Sequence, residues 1–184
     1  MLSKKEIRRI VQELRKTYSS ETLAIWSEEI CRKIAKLPEY RKSTFIAFYF
    51  AKKGEVDLKS LIGRAFLTGK KVFLPKTHFT EKKLTFHQIF SFSDLVPGPF
   101  SLREPPLKNP SISPEKLELI LVPGVAFDLK KTRIGYGGGF YDRVLSKTQA
   151  LKIGVAFSFQ IFEKLPSEAH DQNVDLIITE RGII

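Results

Sequence analysis

The segment LELILVPGVAFDLKKTRIGYGGGFYDRVL, residues 117–145, decides the fold. Its opening, LELILV at 117–122, is a short apolar run that reads as a buried strand. A loop follows, and the segment holds five of the chain's eleven glycines. Residues 140–146 then read as a short helix. Strand, loop and helix in that order form the repeating unit of an α/β layer. In such folds a loop that leaves the carboxyl end of a strand lies where ligands bind.

The same alternation extends outward in both directions. SKKE at 3–6 matches the Ser-x-x-Glu capping box, and Ile7, Ile10, Val11 and Leu14 recur at helical spacing, so 3–17 reads as an amphipathic helix. At roughly 100° per residue, Lys4, Arg8 and Arg15 share a strip beside the apolar stripe. Lys5, Arg9 and Lys16 lie further round, towards solvent. A second helix runs from about Ser20 until Pro38 closes it. TFIAFYF at 44–50 reads as a buried strand, and 57–69 as a helix with Asp57 as N-cap and Gly69 as stop. Strands are predicted at 71–75, 84–90, 151–157 and, last, 174–179. Residues 97–114 hold six prolines and are expected to carry no regular structure. The fold class is therefore α/β: a layered, open, largely parallel sheet with helices on both faces, in a single domain over 1–184.

Composition narrows the function. One cysteine, Cys31, allows no internal disulfide, and no Cys/His cluster has zinc spacing. His78, His87 and His170 are scattered and read as ordinary surface or loop residues. The start MLSKKEIRRI lacks a signal-peptide apolar region, and no apolar run is long enough to span a bilayer, so a cytoplasmic protein with no membrane partner is expected. A net charge of +11 points to an anionic partner (nucleic acid, a phosphate-bearing ligand or a polyanionic cofactor) or to a lysine-rich surface kept for solubility.

The glycine loop matches none of the common nucleotide templates. A P-loop needs a lysine after its glycines, and the dinucleotide fingerprint needs a third glycine where Phe140 stands. An acyl-CoA loop wants one more residue between Arg133 and Gly135. Its chemistry still suits an anion. Gly135, Gly137, Gly138 and Gly139 can present backbone amides, a helix N-terminus follows, and Arg133 supplies a fork for phosphate. Asp142 reads either as a residue matching the helix dipole or as a magnesium ligand. On pattern alone, anion binding and a purely structural turn both stand.

The wider stretch is more specific. Pro123, Gly124, Phe127 and Asp128, followed by Arg133, Gly135, Gly137, Gly139, Phe140, Tyr141 and Asp142, resemble the signature of the 5-formyltetrahydrofolate cyclo-ligases, also called 5,10-methenyltetrahydrofolate synthetases. The resemblance extends to the basic start of the chain, to FYFAKKGEVDL and to HDQNVDLIIT. It implies an enzyme that uses ATP as co-substrate and Mg2+ to convert 5-formyltetrahydrofolate into 5,10-methenyltetrahydrofolate. It implies ATP contacts from Lys4, Lys5, Arg8, Arg133, Ile134, Gly135, Tyr136, Gly137, Gly138, Gly139, Phe140 and Tyr141. Phe50, Glu55, Tyr136 and Phe140 would contact the reduced folate, Asp142 and Asp171 would carry the metal, and Arg133 and Tyr141 would be catalytic. Many members place a lysine where this chain has Gly138, and Phe100 stands where some relatives carry a tryptophan, which suggests an aromatic lid. A monomer with no specific nucleic-acid partner is expected. The competing readings are a nucleic-acid module, suggested by the charge and by FYFAKK, and an ATP-dependent enzyme with a different one-carbon donor or acid substrate.

Overall fold

A computed structural model describes residues 2–99 and 102–184; the expected lid residue Phe100 lies outside them. Helix α1 (Lys4–Thr17) starts as its sequence requires. The Ser3 hydroxyl accepts from the Glu6 amide, and the Glu6 carboxylate accepts from the Ser3 amide at 2.7 Å, so two free donors are satisfied. Helix α2 (Ser20–Lys36) is capped by Ser19. Pro38 does more than close that helix: it opens the short α3 (Pro38–Lys42), because a fixed φ and a missing N–H suit the first helical position.

Strand β1 (Phe45–Ala47) leads to helix α4 (Lys59–Leu67). The N-cap of α4 is Leu58, without a side-chain bond; Asp57 sits one residue earlier and accepts from the Lys59 amide at 2.9 Å. Gly69, at φ +71°, ends the helix as expected. Strands β2 (Lys71–His78) and β3 (Lys83–Ile89) then form an antiparallel hairpin. The proline-rich segment is not wholly irregular. Strand β4 (Val96–Pro97) pairs with β5 (Arg103–Glu104), and β6 (Ser111–Ile112) adds to the free edge of β3. Two-residue ladders at an edge tolerate prolines because few ladder donors are demanded there.

The loop quoted at the outset spans β7 (Leu119–Pro123), β8 (Ala126–Asp128), β9 (Arg133–Ile134) and α5 (Phe140–Leu145). After it come β10 (Leu151–Val155), β11 (Ile161–Phe162), β12 (Leu176–Thr179) and β13 (Gly182–Ile183), an antiparallel edge strand beyond the one expected to be last.

The main sheet runs β13-β12-β10-β7-β1-β2-β3-β6, with β12, β10, β7, β1 and β2 parallel at its centre. Taken in chain order, the parallel strands lie 2-1-3-4-5, so the winding reverses between β1 and β7. The crevice at the carboxyl ends of those two strands is the expected ligand position.

Both faces of the sheet are buried, which explains the nearly continuous apolar strands. Ile46, Leu119, Leu121, Ile153 and Ile178 pack under α2 and α4, while Ala47, Ile120, Val122 and Ile177 face α5 and Phe127. Helix α1 rests on the small sheet β11-β8-β9 through Ile7 and Val11.

Two histidines depart from the surface reading. His87 is buried on β3, and its Nδ1 lies 3.0 Å from the Asn109 carbonyl, which can only accept. Nδ1 therefore donates, and the Nε2 atoms of His87 and His78 lie 2.9 and 2.8 Å from the Thr85 hydroxyl. This chain of bonds ties the proline-rich segment to the sheet.

Candidate active site

A cleft of about 680 Å³ opens at the carboxyl ends of β1 and β7, a size ordinary for a small-molecule site. The start of α1, the glycine loop, residues after β1, the end of β2 and the β4–β5 hairpin wall it.

Arg133 reaches the cleft from the tight β8–β9 turn. The buried Asp128 carboxylate builds that turn: Oδ1 accepts from the Lys130 and Thr132 amides at 3.0 and 2.8 Å, and Oδ2 from Leu165 at 2.9 Å. The Gln160 amide fixes the neighbouring bend, donating to the Gly124 and Val125 carbonyls at 2.9 Å each. With both supports in place, Arg133 Nη2 meets Asp142 Oδ1 at 2.8 Å, and its guanidinium lies 5.7 Å from the centre of the Tyr141 ring. Its Nε and the Tyr141 hydroxyl are both buried, and neither has a partner among the described residues. Burial, and next the charge of Glu55, raise the Tyr141 phenol while Arg133 opposes them, so the hydroxyl stays protonated at neutral pH.

Helix α1 delivers two more cations. Lys4 Nζ lies 2.7 Å from Asp171 and 3.3 Å from Glu168, and Arg8 Nε donates to the Gly135 carbonyl at 2.8 Å. Burial alone would lower the Lys4 ammonium, but the two carboxylates outweigh it and hold it above its usual value. Burial likewise works to raise Asp171, yet Lys4 and the Glu168 amide hold it low. Lys5, one position along, is exposed and outside the cleft, as 100° of helix rotation demands.

Aromatic and acidic side chains also line the cleft. Glu55 accepts from the Tyr136 hydroxyl at 2.6 Å and from the Lys52 amide at 2.7 Å. Phe50 lines the wall, and Lys52 Nζ sits 4.3 Å over the Tyr136 ring. Phe48 and Tyr49 of the FYF run are buried, so that run is no aromatic surface for nucleic acid.

The glycine loop touches both groups: the Gly135 carbonyl accepts from Arg8, and the Tyr136 hydroxyl donates to Glu55. Gly137 and Gly139 take φ of +104° and +64°, a region costly for other residues. A Cβ at Gly138 would lie 2.5 Å from the Phe140 ring, so that ring fills the space a longer side chain would need. Helix α5 has only six residues, which leaves the positive charge for an anion to side chains, Lys4, Arg8 and Arg133 with Lys52 and Arg103.

Every sequence-nominated residue except Lys5 therefore borders this one cleft: Ile134, the loop 135–139, Phe140 and Tyr141 line it beside Asp142 and Asp171. The Gln172 amide donates to Asp142 Oδ1 at 3.3 Å, which brings the two carboxylate-bearing segments together. Among the described residues, no three or more His, Cys, Asp or Glu side chains are grouped to hold a metal by themselves.

Residues 1–180 match the 5-formyltetrahydrofolate cyclo-ligase family along nearly the whole chain. The chain belongs to that family, and it is an enzyme. The 5-formyltetrahydrofolate cyclo-ligase of Saccharomyces cerevisiae is 33% identical over 210 residues, covering 100% of this chain and 98% of its own. That of Haemophilus influenzae is 32% identical, covering 91% and 92%. Among solved structures, the 5,10-methenyltetrahydrofolate synthetase of Aquifex aeolicus superposes with a TM-score of 0.88 at 39% identity, over 98% of this chain and 91% of that one.

Sequence reading missed several residues of this cyclo-ligase cleft. Glu104 is the clearest: buried, and bonded to Lys76 Nζ and the Thr77 amide at 3.3 Å each, it pins the β4–β5 hairpin to β2. One acid among prolines carries no pattern from which that role could be read. Lys52 and His170 likewise line the cleft from loops without periodicity.

Proposed function

We propose that this enzyme couples ATP cleavage to the cyclisation of 5-formyltetrahydrofolate to 5,10-methenyltetrahydrofolate, acting as a cytoplasmic monomer through one domain. The observation that carries the reading is the lining of the cleft. Lys4, Arg8 and Arg133 stand in it with the glycine loop, Glu55 and Phe50.

A formyl oxygen is a poor leaving group until it carries phosphate. In the proposed sequence it attacks the γ-phosphorus, and ADP leaves. N10 then attacks the formyl carbon and loses its proton, and the carbon–oxygen bond breaks as phosphate departs. The protein's part is placement and charge. Arg133 holds the transferred phosphoryl group with its fork, and Lys4 and Arg8 hold the remaining phosphates. The Tyr141 hydroxyl, protonated and without a protein partner, donates to the oxygen that gains charge. Glu55 accepts from the amide and amine donors of the pterin ring, and Phe50 and Phe140 pack against it.

Asp142 and Asp171 fit Mg2+, which is commonly held by one or two carboxylates together with substrate phosphates, and which would neutralise phosphate charge there. In the free protein both carboxylates are paired with the cations proposed to hold phosphate, Arg133 and Lys4. Nucleotide entry then exchanges one set of ion pairs for another and uncovers no bare charge.

The test is the near-ultraviolet absorbance of methenyltetrahydrofolate. Product should form only when ATP and Mg2+ are both present. Formation without ATP, or none with authentic substrate, rejects the proposal.

A further inference from the structure

Arg15 lies two helical turns beyond Arg8 on the strip that borders the core, yet it is not among the residues proposed to hold nucleotide. It points instead at the proposed folate contact. Its Nη1 donates to the Tyr136 hydroxyl at 3.0 Å, and that hydroxyl meets Glu55 Oε1 at 2.6 Å. The direction of these bonds is fixed by chemistry. A guanidinium has no acceptor and a carboxylate no donor, so the single phenol proton goes to Glu55 and a phenol lone pair takes Arg15. The turn beneath is shaped for this crossing: Gly54 has φ +80°, and a Cβ there would come within 3.3 Å of Arg15 Cδ. Lys52 over the face of the same ring holds it from the other side.

An ordinary surface pair would leave the rest of the guanidinium in water. Here Arg15 Nε and Nη2 are closed off from solvent and meet no protein acceptor among the described residues. Such donors cost free energy, so the placement of Arg15 is not one that stability alone favours. What it achieves is a fixed Glu55. Each carboxylate oxygen receives one protein donor, from Tyr136 and from the Lys52 amide. Each therefore keeps a lone pair for a substrate N–H.

We propose that Arg15 is a positioning residue for Glu55, acting through the Tyr136 hydroxyl, so that the carboxylate is held ready for the pterin before substrate arrives. The proposal rests on the reading of Glu55 as the folate contact. It concerns the folate contact alone and predicts a split between the two substrates.

Steady-state kinetics of Arg15→Met, Arg15→Lys, Tyr136→Phe and the double variant Arg15→Met/Tyr136→Phe test it. Losing one charge-assisted hydrogen bond corresponds to a KM for the folate raised about tenfold in Arg15→Met. The KM for ATP and kcat should stay near wild type. Arg15→Lys should recover much of the loss, and the double variant should be no worse than Tyr136→Phe, because both changes cut one chain of bonds. An unchanged folate KM, an equal rise for ATP, or additive effects in the double variant would overturn it.

NMR of protein carrying carbon-13 at the tyrosine Cζ reads the chain without substrate. The Tyr136 signal, assigned by its loss in Tyr136→Phe, should move in Arg15→Met and in Glu55→Gln. A signal unmoved by Arg15→Met overturns the proposal even with wild-type turnover intact. A wild-type protein inactive on the folate overturns the proposed function and this role with it, and a Tyr136 signal that still moves tells that failure from failure of the bond chain.

Discussion

Arg133 carries more of the site than any other residue, and its surroundings say why. It is buried, bonded to Asp142, 5.7 Å from the Tyr141 ring centre, and left with a buried Nε that has no partner among the described residues. A lysine there would keep the charge and lose the fork, so arginine is the type that geometry demands. Arg133→Ala should lower kcat/KM by about a hundredfold or more, the scale of losing one preorganised donor to a developing charge. Circular dichroism should show the fold retained, since Asp142 borders the cleft and can be hydrated. Activity near wild type would remove Arg133 from the chemistry. At this scale much of the site was legible. Lys4 and Arg8 were separable from Lys5 and Arg9 by helical rotation alone, and the structure keeps that separation. The partners of these residues were not legible. Nothing in the spacing of Asp128, Gln160 or Tyr136 announces which distant amide or carboxylate each will meet, because those contacts are set by tertiary packing.

Helix α1 is the element on which both groups of cleft residues depend, carrying Lys4, Arg8 and Arg15. It is fully buried only at Ile7 and Val11, and burying such side chains contributes roughly 1.5–3 kcal/mol each. Three polar ties to Asp171, Gly135 and Tyr136 supplement that modest anchor. Ile7→Ala should cost about 2–5 kcal/mol by the usual range for a buried isoleucine, and the loss should be local. Hydrogen exchange should show the amides of α1 opening before those of β7 and β10. Exchange of α1 together with the sheet core would contradict this. The elements legible in the sequence were those with a period: α1, α2, α4 and the central strands. Those missed were α3, β4, β5, β6, β8, β9, β11 and β13, none longer than five residues. Such lengths hold little more than one repeat of either pattern, and Pro38 can end one helix or begin the next with equal chemical sense.

For the whole molecule, the winding order of the sheet accounts for where these residues meet. The reversal between β1 and β7 leaves a crevice that neither connection fills. The segment after β1 brings Phe50 and Glu55 to one side of it, and the segment after β7 brings Arg133 and the glycine loop to the other. The charge of +11 left an anionic partner and a solubilising surface both open; the fold brings Lys4, Arg8 and Arg133 to the cleft. We propose that phosphate and folate meet there, with the formyl oxygen passing to phosphate. The most direct measurement uses substrate labelled with oxygen-18 at the formyl group and follows the label by mass spectrometry. One labelled oxygen should appear in the phosphate released at each turnover. Label in water, with unlabelled phosphate, would contradict it.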